Sequence, residues 1–108
     1  MDALNQQHCE ACEGIGNALS SNQIESLMTQ LQGLQLKANP DALYKRFEFK
    51  NFYHTMGFVN ALAYIANREH HHPDLHVGYN YCEINWTTHA LKGLSMNDFI
   101  CASKTDAL

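Results

Sequence analysis

The chain has 108 residues, enough for one domain that buries roughly two thirds of its surface and needs no disulfide or structural metal to hold a core. Its formal net charge is -4, from 11 acidic and 7 basic residues, and nothing basic is concentrated, which excludes the electrostatic footprint of a nucleic-acid binder. No apolar run approaches the ~18 residues needed to span a membrane. The start MDALNQQHCEACEG has neither the charged nor the apolar region of a signal peptide, so a cytoplasmic protein is expected.

In chain order, residues 1–19 are small and polar with weak periodicity and read as an N-terminal extension or poorly ordered arm, leaving 20–108 as the domain. Ser20 with Gln23, or Asn22 with Glu25, has capping-box spacing. Ile24, Leu27, Met28 and Leu31 then recur at i, i+3, i+4 and i+7, one face of a helix that Gly33 would stop. A short strand is predicted over 34–38, a turn at Asn39-Pro40-Asp41, and a second strand over 43–50 with Phe47 and Phe49 on one face. Asn51 can cap a long helix over about 51–69, with Phe52, Met56, Val59, Leu62, Ala63 and Ala66 as its apolar stripe.

Pro73 ends that pattern. Residues 77–86 read as a hairpin turning near Gly78 to Asn80, with Cys82, Ile84 and Trp86 on one face, and with Thr87-Thr88-His89 closing the strand. Ser95 is a strong N-cap, and Leu94 and Phe99 have hydrophobic-staple spacing for a last helix over about 96–105. The order α-β-β-α-β-β-α predicts an α+β fold: a four-stranded antiparallel sheet with helices packed on one face.

Five of the seven histidines, His70, His71, His72, His76 and His89, lie in one stretch. Imidazole gives and takes protons near neutral pH, so the cluster is a candidate site for acid–base chemistry such as a dehydration, where one group protonates a leaving hydroxyl and another removes a proton. Consecutive extended residues point opposite ways, so a bend is needed before His71 and His72 can face one pocket. A solvated helix end beside an unrelated strand histidine reads the residues equally well. On spacing alone Asp98, at the third helical position, is read as a capping carboxylate. His70, His71, His72 and His76 could ligate a metal, but adjacent extended histidines rarely converge on one ion and no HExxH is present. Cys9-Glu10-Ala11-Cys12 is at most half a zinc site, and the four uneven cysteines fit reduced thiols.

His71-His72-Pro73-Asp74, then Tyr79, Thr88-His89, Gly93-Leu94-Ser95 and Asp98, closely resemble the pterin-4a-carbinolamine dehydratases over about residues 20–107. The CEAC start is similar to that of bacterial members associated with phenylalanine hydroxylase. The resemblance implies a hydro-lyase that dehydrates 4a-hydroxytetrahydropterin (4a-hydroxytetrahydrobiopterin) to quinonoid dihydropterin in tetrahydropterin recycling, without metal or organic cofactor. It implies His71, His72 and His89 as catalytic imidazoles and Asp98 as a site carboxylate, which displaces the capping-only reading. His71, His72, Pro73, Thr88 and His89 become the expected substrate contacts. Partners implied are the pterin, a second or further copies in a homodimer or homotetramer, and an aromatic amino-acid hydroxylase; no nucleic acid or membrane is expected. Two departures bear on pterin contacts and rate: Asn67 stands where the family usually has an ionisable residue, and Leu34 where a tryptophan is common. The same family fold also occurs as a dimerization cofactor of a homeodomain transcription factor in animals, which leaves a binding or regulatory role as an alternative, and metal storage through the histidines and CEAC as a third.

Overall fold

The computed structural model describes residues 3–10, 17–38 and 41–108. Two expectations, the Asn39-Pro40 turn and the Cys12 half of the CEAC motif, lie outside the described residues. Helix α1 spans Ser21–Met28, strand β1 Gln35–Lys37, β2 Ala42–Glu48, helix α2 Phe52–Glu69, β3 Asp74–Val77, β4 Tyr81–Trp86 and helix α3 Met96–Asp106. One-turn 3-10 helices precede α1 (Leu4–Gln6) and follow β4 (His89–Leu91). The α+β order is the one the sequence predicts.

The four strands form one antiparallel sheet in the order β1-β2-β4-β3. Strand alternation gives it two unlike faces. Leu43 pairs with Trp86 and Phe47 with Cys82, and with Ile84 these residues turn toward the helices. Leu43, Cys82, Ile84 and Trp86 meet Leu62 of α2 and Leu94, Phe99, Ile100 and Cys101 at and in α3, all of them buried. Phe58 of α2 packs against both Phe47 and Phe49, with ring centroids 4.7 and 5.0 Å apart. The other face is polar. There Tyr44 donates to Glu83 at 2.7 Å, and Arg46 lies over the Tyr81 ring while reaching Glu83 at 3.5 Å.

The caps set the helix starts as expected. Ser20 and Gln23 form the capping box of α1, Asn51 accepts from the His54 N–H at the head of α2, and Ser95 and Asp98 form a second capping box on α3. At the β3–β4 turn glycine is required by space: a Cβ on Gly78 would fall 2.0 Å from the Tyr81 ring.

Four expectations need correction. Helix α1 ends at Met28, capped by Thr29, so Leu31 packs from the following turn; Gly33, at φ 75°, serves that later turn. The buried side of α2 is Thr55, Leu62, Ala66 and Glu69, whereas Phe52 is half exposed and Ala63 is exposed. Periodicity missed this face because two of its members are polar: Thr55 is satisfied by donating to the carbonyls of Asn51 and Tyr79, and Glu69 by bonds described below. Strand β4 stops at Trp86, and His89 opens a 3-10 turn, because Thr88 pairs with Gly93 in an isolated bridge that folds the chain back. Finally, the arm is not loose over its described part. Leu4 is buried in the core, and residues 3–10 lie against α3.

Candidate functional site

The histidine run is placed by the way α2 ends. Pro73 cannot continue a helix, and His70 takes the left-handed conformation at φ 54°, ψ 37° as the C-cap. The His70 N–H returns to the carbonyls of Ala66 and Asn67, and the His71 N–H to Ala66. This turns the chain out of the helix just ahead of His71, but it does not bring the rings of His71 and His72 into one pocket. His71 turns inward and is 6% exposed, while His70 and His72 stay in solvent.

The inward ring meets the start of α3. His71 Nε2 lies 2.6 Å from Asp98 Oδ1, and Asp98 is completely buried. The other carboxylate oxygen accepts from the Thr88 hydroxyl at 2.8 Å and from the Ser95 N–H at 3.0 Å. With the Thr88 proton committed to Asp98, the Ser95 hydroxyl donates to Thr88 at 2.8 Å and itself accepts from the Asn97 N–H. Asp98 thus serves as helix cap and as histidine partner together. The Trp86 ring lies nearly parallel to His71, 11° between planes and 5.8 Å between centroids, and fixes the imidazole from its face. A carboxylate on one ring nitrogen sets tautomer and orientation, leaving the other nitrogen for chemistry. Among the described residues no fully buried side-chain nitrogen lacks a partner. Nδ1, the nitrogen turned away from Asp98, therefore belongs to the part of the ring that solvent reaches.

An exposed rim accompanies this buried pair. Asp74 opens β3 opposite Asn85 of β4, directly after His72-Pro73. His89, in the turn beyond β4, brings Nε2 within 3.9 Å of Asp74 Oδ2; both side chains are about three-quarters exposed. The fold therefore draws His89 to the His-Pro-Asp segment across the β3–β4 pair. Pro73 is half-buried, and Thr88 is buried with its hydroxyl engaged on Asp98. Tyr79 is 66% exposed at the hairpin turn, and Trp86 is a core wall.

Behind the site lies a set of residues that sequence reading did not find. Glu69, the last residue of α2, is 7% exposed. Its carboxylate accepts from the Cys9 N–H at 2.8 Å and from His8 Nδ1 at 3.0 Å, with Lys104 of α3 at 4.0 Å. Burial pushes this carboxyl up, but the bonds from Cys9 and His8 and the Lys104 charge outweigh it and hold Glu69 below the ordinary carboxylate range. One residue on, Glu10 exchanges two hydrogen bonds with the Asn97 amide, at 3.0 and 2.8 Å. Residues 8–10 thus tie the end of α2, two residues before His71, to the first turn of α3, one residue before Asp98. The sequence carries no local signal for this, since the partners stand 60 and 87 positions apart.

Comparison with known proteins places this arrangement. The family model described as pterin 4 alpha carbinolamine dehydratase matches residues 17–108. Relatives from Legionella pneumophila bearing the name pterin-4-alpha-carbinolamine dehydratase are 58% identical over 106 residues, which is 97% of this chain and 94% of theirs. One of the same name from Nitrosospira multiformis is 51% identical over 108 residues, 100% of this chain and 94% of its own. A crystal structure of a transcriptional coactivator/pterin dehydratase from Brucella melitensis superposes with a TM-score of 0.81 at 28% identity, covering 84% of this chain and 97% of that one. A pterin dehydratase-like protein described as a RuBisCO assembly factor in the alpha-carboxysome superposes with a TM-score of 0.62 at 26% identity, over 70% and 88% of the two chains. The chain belongs to the pterin 4 alpha carbinolamine dehydratase family of hydro-lyases.

Proposed function

We propose that this protein eliminates water from 4a-hydroxytetrahydropterin to give quinonoid dihydropterin, and that His71, His72 and His89 carry the proton transfers. The reading rests on one observation above all: a buried carboxylate, itself held by two further donors, grips one imidazole of the His-His-Pro segment at 2.6 Å. Departure of the C4a hydroxyl needs a proton, and N5 of the pterin must lose one. His71, fixed in tautomer and plane by Asp98 and Trp86, is the positioned member of the set. His72 and His89 are exposed on the rim, where a ring system arriving from solvent meets them, and Pro73 is the half-buried residue beside His72. Asp98 acts on the reaction through His71. Thr88, whose hydroxyl is spent on Asp98, supports that carboxylate instead of touching the pterin.

The domain so read is 20–108, with 1–19 as an added arm whose described part braces it. We further take the protein to act in the cytoplasm as a homodimer or homotetramer, in the service of an aromatic amino-acid hydroxylase that releases the hydroxylated pterin. The outer edge of β3, which no strand among the described residues covers, with Leu75 and Val77 more than a third exposed, and the exposed Tyr53 and Tyr64 on α2 support self-association. No helix among the described residues is long and apolar enough to cross a membrane.

A second reading, as a regulator or assembly factor, draws on the names of the Brucella melitensis and alpha-carboxysome neighbours. The complete His71–Asp98–Thr88–Ser95 network favours the enzyme, because a scaffold has no need of an imidazole oriented this way. The discriminating experiment follows the ultraviolet decay of 4a-hydroxytetrahydropterin with and without the protein. Acceleration in proportion to protein concentration is expected; decay at the uncatalysed rate would leave the regulatory reading in possession.

A further inference from the structure

Two thiols outside the histidine site lie face to face. Cys9 Sγ, on the arm, is 3.5 Å from Cys101 Sγ, in the second turn of α3, and lies 3.8 Å from the carbonyl of Asn97, one turn earlier. Cys9 is half-buried, whereas Cys101 is inaccessible. The hydrogen bond to Cys9 and then burial push the Cys101 thiol well up, so Cys101 keeps its proton while Cys9 meets solvent. Cys82 offers a contrast. It is a lone buried thiol pushed up to about 11 by burial and then by Glu83, an inert core residue.

The pair differs from an accidental contact in what surrounds it. Cys9 sits between two bonded neighbours: its own N–H is held by Glu69, and Glu10 is held by Asn97. The backbone that carries the sulfur is therefore fixed against α2 and α3. A disulfide needs its sulfurs at about 2.0 Å, so closure asks for roughly 1.5 Å of movement, within reach of side-chain rotation. No group of three or more His, Cys, Asp or Glu side chains among the described residues is arranged to hold a metal ion. Two opposed thiols at this separation are suited to thiol–disulfide exchange.

We propose that Cys9 and Cys101 form a redox-modification site, a dithiol that closes to a disulfide by exchange with a small disulfide oxidant of the oxidised-glutathione class and so staples the arm to α3. In the first step the Cys9 thiolate attacks one sulfur of the oxidant, forming a mixed disulfide and expelling one thiolate. In the second, the Cys101 sulfur, its proton passing to the expelled thiolate, attacks the Cys9 sulfur of the mixed disulfide and expels the second. Two protein thiols are oxidised and one small disulfide is reduced to two thiols. The residues it locks, 8–10, brace both elements that carry the His71–Asp98 pair, so the staple fixes the scaffold of that pair without touching it. The site stands independently of the reaction proposed above.

The test uses the full chain, reduced and then incubated with excess oxidised glutathione, digested without reduction and mapped by mass spectrometry. A peptide pair joining Cys9 to Cys101 is expected, in the native protein and equally in Cys12→Ala. Because the bond closes a loop of about 92 residues, the oxidised Cys12→Ala protein is expected to melt at least about 5 °C above its reduced form. In Cys101→Ala the reaction is expected to stop at a mixed disulfide on Cys9, with no such rise. A Cys9–Cys12 bond in the native protein would overturn the proposal. So would a glutathione adduct that persists on Cys9 while Cys101 stays free, or stoichiometric zinc that shields both thiols.

Discussion

Asp98 shows how one side chain can answer two demands at once. As third helical residue it accepts the Ser95 N–H, which is the capping role that spacing alone suggests; as a buried acceptor it also holds His71. The two roles use different oxygens, so neither weakens the other. Asp98→Asn keeps the volume but must turn an N–H₂ toward either His71 or the Thr88 and Ser95 donors. Breaking a buried charge-assisted network of this kind is expected to cost about 2–4 kcal/mol in urea unfolding at neutral pH. Dehydration is expected to slow beyond what that loss of stability explains. His70 is the opposite case. It reads as an incidental extra histidine, yet its left-handed φ of 54° is what ends α2 and turns the chain ahead of the buried His71. An L-residue in that region is strained by roughly 1 kcal/mol, so His70→Gly is expected to leave activity intact and to hold or slightly raise the melting temperature. A loss of activity with the fold retained would mean that the imidazole of His70 takes part. The compound spacing of His71, Tyr79, His89 and Asp98 was legible in the sequence. The reason for it, a helix end turned inward onto a capping carboxylate, was not, since histidine's mild preference for positive φ does not single out His70 among three consecutive histidines.

At the scale of elements, α2 and the arm explain where sequence reading succeeded and where it failed. Caps are local, so Asn51 and Ser95, and Ser20 as one of two candidates, mark the starts of the three α-helices among the described residues. Burial depends on what packs opposite, so the apolar stripe assigned to α2 was displaced by Thr55 and Glu69, polar groups whose partners come from distant segments. The arm was misread for the same reason. Leu4, Cys9 and Leu19 anchor its described part without any period, and its bonds reach Glu69 and Asn97 far along the chain. Glu69 also ties this packing to pH. Its carboxyl is held below the ordinary value of 4.5, so its ionised form contributes stability above that value, and the contribution is lost as pH falls through the lower folded value. Glu69→Gln is expected to cost about 1–2 kcal/mol at neutral pH. The difference in melting temperature from native protein should shrink steadily below about pH 4.5 and vanish in acid. A difference that stays constant with pH would remove Glu69 from its role as the ionised anchor of the arm.

Taken whole, the molecule is a sheet with one face buried under its helices and one face left to a ladder of Tyr44, Arg46, Tyr81 and Glu83. That division follows from strand alternation and was legible, as was the α+β order. The edges were not: β1 is three exposed residues, whereas β3 carries Leu75 and Val77 on the helix side without full cover. Light scattering is expected to return two or four times the 12.2 kDa of one chain; a monomer at micromolar concentration would require another explanation for that uncovered edge. The catalytic reading depends on one oriented imidazole, and a single kinetic comparison reaches it most directly. The decay of 4a-hydroxytetrahydropterin is followed with native protein and with His71→Ala, each shown to be folded by circular dichroism. Native protein should accelerate the decay, and loss of a positioned acid–base group should reduce that acceleration at least about 100-fold. Equal acceleration by the two proteins would contradict the assignment of His71 and, with it, the catalytic purpose of the Asp98 network.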